Sequence, residues 1–493
     1  MCGIFWYDIS GLHSEQIELV RQNAMKLAHR GPDRTSELII HDKMFIFHRL
    51  AIIDIESEAG PFVFNDYAMV CNGEVYNYKE FNYEFKSDVE VILRLIIEDP
   101  LNIAKLDGDF AFVISNDSTT IAGRDPYGVR PLFYACDASL KIVGFASEAK
   151  ALLTSHSVHV FPPGHMCVNG VFSKYTPIYN QKESSLLDVL TFAIKKRVLH
   201  SERPVALICS GGIDSAAIAC IVSRLIDPST VRVFTMKYNK GHSDDAFYAS
   251  MLCNHLGFQH EIVEFCLEDA NIETIKKVIT ACETCDENTI RTAIPTYLLA
   301  KHIAEKTDIK VVIGGEAMDE LLGGYGYFRL APTPDEAVTE CMRLLSNLHM
   351  FDLLRADRCF AAHGLEMRVP FLDNDLLAHV SLIPCNLRTS GEKQLLRDAV
   401  SVFPELDRFR ILSRPKEKFS DGTGFSYVPD LLRFLASNHS DDGSQKHRFE
   451  CEKLEYQSIF ADVYGSNCWV VKRVMPSWTD EACARKNASI IDA

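Results

Sequence analysis

Apolar positions along the chain repeat in two different ways, and the change falls at the polar stretch from Asn180 to Ser185. Before it, short β-type runs separated by turn residues predominate, among them Leu38–Ile40, Met44–Phe47, Ala68–Cys71, Phe110–Ser115 and Ile142–Phe145. Two stretches switch to helical spacing. Ile17, Val20, Ala24 and Leu27 share one face after Ser14, and Val89–Ile97 follows the start signal Ser87-Asp88. The pattern predicts sheets with helices packed outside.

Beyond the polar stretch a helix is expected over Leu186–Leu199, and then buried apolar strands alternate with amphipathic helices. Val205–Cys209, Val231–Met236, Gln259–Phe265 and Lys310–Ile313 read as strands. Ala216–Ile226 and Ala246–Leu256, the latter closed by Gly257, read as helices. This order builds a parallel sheet covered on both faces. After Val338 the signal is mostly helical, and the last stretch of the chain is polar and carries no recognisable chemistry.

A length of 493 residues exceeds what one core organises, so two domains are expected, 2–185 and 186–493. With 51 Lys and Arg against 67 Asp and Glu, the net charge of -16 disfavours a nucleic-acid partner. No apolar run reaches the roughly 18 residues of a membrane span. The start MCGIFWYDIS also lacks a basic stretch followed by an apolar core, so no membrane association and a cytoplasmic location are predicted. Sixteen irregularly spaced cysteines predict reduced thiols. The Cys282-x-x-Cys285 pair has no second pair to complete a zinc site.

The first candidate chemistry is at the very start. Loss of Met1 would leave Cys2 with a thiol nucleophile and an α-amine on one residue, the amine having an ordinary pKa near ~8 and so able to act as base. Three short strings suit a substrate facing that thiol. Arg49, in His48–Ile52, offers a guanidinium fork for a carboxylate. Asn72 and Gly73 offer donors for an oxyanion, and Glu74 and Asp88 offer carboxylates for an ammonium. Together they would grip an α-amino acid by both ends.

In the second half, Ser210-Gly211-Gly212-Ile213-Asp214-Ser215 sits between a strand and a helix, where glycines, free N–H groups and hydroxyls suit a phosphate. It contains no Gly-Lys dipeptide, so it is not a Walker A loop, and it resembles the pyrophosphate-binding PP-loop of ATP pyrophosphatases. Gly314-Gly315-Glu316-Ala317-Met318-Asp319-Glu320 follows another strand with three carboxylates, the oxygen ligands magnesium needs beside phosphates. Arg414-Pro415-Lys416-Glu417-Lys418 supplies cations for charge developing in adenylyl transfer.

Taken in order, MCGI, HRGPD, HRLAIID, NGEVYN, SDVEVIL, GRDPYGVRPL, SGGIDS, GGEAMDE, RVPFLD and RPKEKFSDG resemble the motifs of glutamine-hydrolysing asparagine synthetases. That resemblance implies an α/β/β/α sandwich of the N-terminal nucleophile type, joined to a parallel α/β domain of the PP-loop type with a helical C-terminal part. It implies that Cys2 attacks glutamine, with Asn72 and Gly73 as oxyanion hole and Arg49, Leu50, Ala51, Ile52, Ile53, Glu74 and Asp88 around the substrate. ATP would adenylate aspartate. Ile208, Ser210, Gly211, Gly212, Asp214 and Ser215, with Met236, Gly314 and Gly315, would hold ATP, and Asp214 and Asp319 would hold Mg2+. Glu316 would be the base for ammonia, and Arg291, Asp319, Asp373, Lys393 and Lys416 would form the aspartate and phosphate site. An internal ammonia tunnel and a homodimer are further expectations of the resemblance.

The chain departs from the family's usual SGEGSDE string, and a Cβ at Ala317 would strain a backbone that needs positive φ there. Two other readings use the same residues: a related PP-loop amidotransferase or cyclase acting on another acid, and a nucleotide-binding relative without turnover.

Overall fold

Alternation of side chains explains the layers of the first half. The computed structural model describes all residues except 57–59, 82–84, 86, 180–183, 241–242, 416–426, 438–443, 466–475, 477 and 480–493. Its first twelve strands are β1 (Gly3–Asp8), β2 (Arg34–Ile40), β3 (Lys43–Arg49), β4 (Phe62–Phe64), β5 (Tyr67–Val75), β6 (Gly108–Ser115), β7 (Thr120–Arg124), β8 (Phe133–Cys136), β9 (Ile142–Ala146), β10 (Ser157–Val160), β11 (His165–Val168) and β12 (Val171–Lys174). They form two six-stranded sheets, ordered β10-β8-β9-β1-β3-β2 and β12-β11-β7-β6-β5-β4. Ile4, Trp6, Phe45 and Phe47 of the first sheet meet Ala68, Val70, Ala111 and Val113 of the second. Their neighbours point outward: Phe5, Met44 and Ile46 pack with Val20 and Ala24 of the helix Ser14–Ala24. Met69, Cys71 and Phe112 pack with Val91, Ile92 and Leu95 of the helix Glu90–Glu98. Period-two strands apolar on both faces therefore give helix, sheet, sheet, helix, each buried large side chain contributing about 1.5–3 kcal/mol.

The second half carries β13 (Val205–Ile208), β14 (Arg232–Tyr238), β15 (Gln259–Phe265), β16 (Val311–Ile313) and β17 (Glu366–Arg368). All pair in parallel, in the order β15-β14-β13-β16-β17. The chain builds outward on one side of β13 and then on the other, so the order reverses between β13 and β16. Ligands of open parallel sheets bind beyond the strand ends at such a reversal. Both glycine-rich loops read from the sequence follow these two strands.

Three elements differ from expectation. The helix after β13 runs Ile213–Leu225, starting inside the glycine motif, because Gly212 takes the extended N-cap conformation and Asp214 lies in the first turn. β17 is a strand of two charged residues around Met367, buried because Glu366 and Arg368 pair with each other at 2.7 Å. Gln445–Tyr464, in the polar last stretch where no element is expected, is a helix capped by Ser444.

The two halves are joined by buried ion pairs. Arg30 Nη1 lies 2.7 Å from Glu148 and 2.8 Å from Asp357, and Arg358 reaches Glu148 at 2.7 Å and Glu283 at 3.1 Å. Removing one partner of such a pair strands a charge, which typically costs about 3–5 kcal/mol. No helix among the described residues is long and apolar enough to cross a membrane.

Candidate active sites

The first site forms where the start of β1 meets the end of β3 and the middle of β5. Cys2 precedes β1, and its backbone nitrogen donates to Asn72 Oδ1 at 2.8 Å while its Sγ lies 3.9 Å from the Leu50 carbonyl. Burial pushes the thiol pKa up, against the pull of the nearby N-terminal amine. Asn72 is fully buried, and its Nδ2 has no hydrogen-bond partner among the described residues. A buried donor left unfilled is costly unless an incoming charge uses it. Gly73 follows, and a Cβ there would come within 2.3 Å of the Asp109 carbonyl on β6, so only glycine fits.

Beyond Gly73, Glu74 and Asp88 are both buried, and Asp88 accepts the Val75 N–H at 2.7 Å. Burial raises the Glu74 carboxyl pKa, with Arg368 opposing. Arg49 donates to the carbonyls of Ile53 and Asp54 at 3.1 and 2.6 Å, which shapes the loop after β3. Ala51 N donates to Asp33, and the carbonyls of Ala51 and Ile52 accept from Arg203 and Glu202 of the second half. Met1, Leu50, Ile52 and Val129 join the core of the second half.

The second site lies beyond β13 and β16. Gly211 has φ +67, and a Cβ there would meet Tyr248 and the Ala249 nitrogen at 2.5 and 2.7 Å, so the tight turn requires glycine. Ser215 Oγ accepts from the Ser210 nitrogen at 3.1 Å and lies 3.2 Å from the Gly212 carbonyl, closing the loop over the helix N-terminus. Ile208 ends β13, and Met236 lies buried in the adjacent β14. Gly315 sits against the first turn of that helix, its Cβ position 3.3 Å from Asp214 Cβ. Lys393 bridges the two loops, 2.6 Å from Asp214 and 2.8 Å from Asp319. Against the cost of burial, these carboxylates hold its pKa above the ordinary lysine range. Arg414 donates to the Ser210 carbonyl at 3.0 Å and to Asp245 at 2.8 Å.

Glu316 follows Gly315, with Oε1 3.4 Å from Arg355 and Oε2 buried without a hydrogen-bond partner among the described residues. Burial raises its pKa and Arg355 opposes. Glu320, which accepts from the Tyr325 hydroxyl, is pushed up to about 7 by burial and by Asp352 and Asp319. Ala317 has φ +82, so the expected strain is present.

Two expected members of the aspartate and phosphate site are engaged by other protein groups. Asp373 is fully buried, pairs with Lys196 at 2.6 Å and Arg197 at 2.8 Å, and caps the helix Asn374–Ser381. With its acceptors filled this way it is a structural carboxylate. Arg291 is held by Glu452 of the helix Gln445–Tyr464 and lies over the Phe449 ring, so it anchors the C-terminal helix. Lys416 lies outside the described residues.

Sequence reasoning missed the side chains that connect the sites. Arg368 Nη2 lies 3.3 Å from Glu74, Arg130 Nη2 lies 3.4 Å from Glu366, and the Arg368 carbonyl accepts from the Gly314 nitrogen at 3.1 Å. β17 therefore touches the first site with its side chains and the second with its backbone. Arg368 and Arg130 sat unremarked within RVPFLD and GRDPYGVRPL, and Arg355 had no local signal at all.

Comparison with known proteins adds the following. Residues 1–183 match the family model of the glutamine amidotransferase domain, and 185–340 with 329–468 match that of asparagine synthase. The chain is 35% identical to a probable asparagine synthetase [glutamine-hydrolyzing] of Acanthamoeba polyphaga mimivirus, over 96% of both chains. It is 33% identical to the asparagine synthetase [glutamine-hydrolyzing] of Gallus gallus over 97% of both. For that of Homo sapiens the identity is 34%, over 92% of this chain and 93% of the other.

Proposed function

Because the chain belongs to the family of glutamine-hydrolysing asparagine synthetases, we propose that its two sites divide the family's reaction between them, a glutaminase in 2–185 and a synthetase in 186–493. The enzyme is an ATP-dependent carbon–nitrogen ligase that makes L-asparagine from L-aspartate with ammonia released from L-glutamine. Aspartyl adenylate is the intermediate, and AMP and pyrophosphate are the products.

The glutaminase step uses residues of the first site. Loss of Met1 turns the Cys2 nitrogen, 2.8 Å from Asn72 Oδ1, into an amine that takes the thiol proton. Cys2 Sγ attacks the side-chain amide carbon of glutamine, and the oxyanion meets Asn72 Nδ2 and the Gly73 N–H. Ammonia leaves with the returned proton, and water then frees glutamate from the thioester. Glu74 and Asp88 hold the substrate's α-ammonium, and Arg49 with the Leu50–Ile53 loop holds its carboxylate end. The observation that carries this reading is the buried, unfilled Nδ2 of Asn72 beside Cys2.

In the synthetase step an aspartate carboxylate oxygen displaces pyrophosphate from ATP, which the Ser210–Ser215 loop receives. Ile208, Met236 and Gly314-Gly315 flank the nucleotide, and Lys393 and Arg414 neutralise developing charge. The carboxylates of Asp214 and Asp319, both beside Lys393, fit magnesium's preference for hard oxygen ligands and would hold it, and the ion would supply charge neutralisation there. Glu316, with its raised pKa, takes a proton from the attacking ammonia. An internal route for ammonia would pass the apolar contact of Leu50, Ile52 and Val129 with the synthetase core. A cytoplasmic homodimer completes the reading, and light scattering in solution tests the dimer.

The test of function is incubation with amide-labelled glutamine, aspartate, ATP and magnesium, followed by mass spectrometry. Label in asparagine with matching AMP is expected. Labelled ammonia without asparagine would overturn the assignment of the second site's acceptor.

A further inference from the structure

One side chain in the glutamine pocket has no part in the reaction as described, and it comes from the other half of the molecule. His200 caps the end of the helix Leu186–Leu199, just before the strand that leads to the phosphate loop. Its Nε2 lies 3.1 Å from Glu74 Oε2 and 3.3 Å from Asp88 Oδ2, the two carboxylates assigned to the substrate's ammonium. The three groups come within 4.8 Å of one another. The rings of Tyr76 and Tyr78 stand edge-on to the imidazole at 5.4 and 5.7 Å, closing it in.

The charges around this imidazole can be followed element by element. β5 presents Glu74, and just past its end stands Tyr76, whose hydroxyl donates to Asp109 of β6 at 2.9 Å. The turn before the helix Glu90–Glu98 presents Asp88. β17 presents Arg368, which pairs with both Glu74 and Glu366 and donates to the His200 carbonyl at 2.5 Å. On its own helix, Arg197 lies over the Tyr76 ring and pairs with Asp109 and Asp373, and Lys196 pairs with Asp107 and Asp373. Despite burial, Asp88 and Glu74 push the His200 pKa up to about 9, so the imidazole carries a proton at neutral pH. Glu74 and Asp88 thus already face two cations, His200 and Arg368. An incoming α-ammonium would be a third cation on two carboxylates.

We propose that the His200 imidazolium and the α-ammonium of glutamine exclude one another at Glu74 and Asp88, so that glutamine binds the neutral-imidazole form and one proton leaves Nε2 for solvent. One cation replaces another, and the pocket's charge is unchanged. The inference rests on the reading of Glu74 and Asp88 as the ammonium subsite. Its consequence is that glutamine affinity increases with pH over a range where an ordinary histidine would already be neutral. His200 is in this sense a specificity-setting and positioning residue, acting on substrate entry through the carboxylates it occupies.

The test uses the full-length Cys2→Ala protein, which removes the nucleophile, and calorimetric titration with glutamine in two buffers of different ionisation enthalpy. Release of about one proton per glutamine near pH 7.5 is expected, with Kd falling by up to about tenfold per pH unit towards pH 9. His200→Gln and His200→Met in the same background should release no proton, and their Kd should vary less than about twofold over that range. Absence of proton release in the Cys2→Ala protein, or equal release after His200 is replaced, overturns the inference. A parallel Asp88→Asn titration separates the two claims. Unweakened glutamine binding there removes the ammonium-subsite reading itself. Lost binding there, together with proton release that ignores His200, removes only the inference.

Discussion

The two sites of this molecule are assembled on opposite principles. The proposed nucleotide site draws its described groups from its own half: the Ser210–Ser215 loop, Glu316, Asp319, Lys393 and Arg414 all lie beyond residue 186, around one reversal in strand order. The glutamine site is completed from outside. Its proposed nucleophile and oxyanion donors belong to the β-sandwich, whereas the cations facing Glu74 and Asp88 are His200 and Arg368 of the other half. A site self-contained in one sheet can run whenever its substrates arrive. A site whose charge is balanced across an interface responds to how the halves meet, which suits a reaction that should release ammonia only where a partner site can use it.

Substitutions break the comparison in order of expected effect. Cys2→Ala should lower glutamine-dependent asparagine formation roughly a thousandfold or more while ammonia-dependent formation persists. Steady-state rates with each nitrogen donor check it, and equal loss with both would mean the sites are not separable. Lys393→Met should reverse the pattern. With Asp214 and Asp319 left facing each other, ATP-dependent AMP formation should drop about a hundredfold while glutamine hydrolysis stays near its starting rate. Pyrophosphate release and glutamate release, measured on one sample, read both sites.

The third change sharpens the contrast through pH. The His200 pKa is raised to about 9 from an ordinary 6.5, so its stabilisation is fully present below the ordinary value and is lost as pH rises through the folded one. His200→Gln should therefore cost about 2 kcal/mol near pH 6 and close to nothing at about pH 10. Denaturant titrations at the two pH values test this, and a pH-independent cost would refute the imidazolium pairing. The smallest effect belongs to the nucleotide site. Ala317 holds φ +82 at the turn after Glu316, and Ala317→Gly should stabilise the protein by about 0.5–1 kcal/mol by relieving the Cβ strain. Thermal unfolding measures it, and a lower Tm would show that the turn is relaxed with alanine.

Much of the molecule was legible in the chain because the deciding information is local. Period-two runs marked the sandwich strands, and alternation of buried strands with helices marked the parallel sheet. The glycines at 211 and 314–315 announced the loops after β13 and β16, because a positive φ at Gly211 and close neighbours at Gly314 and Gly315 restrict which residues can stand there. Cys2, Asn72-Gly73 and Glu74 stood out as candidates for the same reason, as short strings whose chemistry is complete within a few residues. By itself, then, the sequence determined the two architectures and the family, and it supplied the candidates for the reactive groups.

Only the tertiary structure decided which charges meet. It turned Asp373 towards Lys196 and Arg197 and Arg291 towards Glu452, partners that no spacing in the chain announced. It made a strand of Glu366–Arg368 within a region of mostly helical signal, because neighbouring opposite charges allow both to be buried. It also brought His200 to Asp88 across 112 positions of the chain. Hydrophobic periodicity is written along the backbone and acts over a few residues, so it can be read in order. Electrostatic partnership is set by distance in space within a low-dielectric interior, and no spacing in the chain encodes that distance.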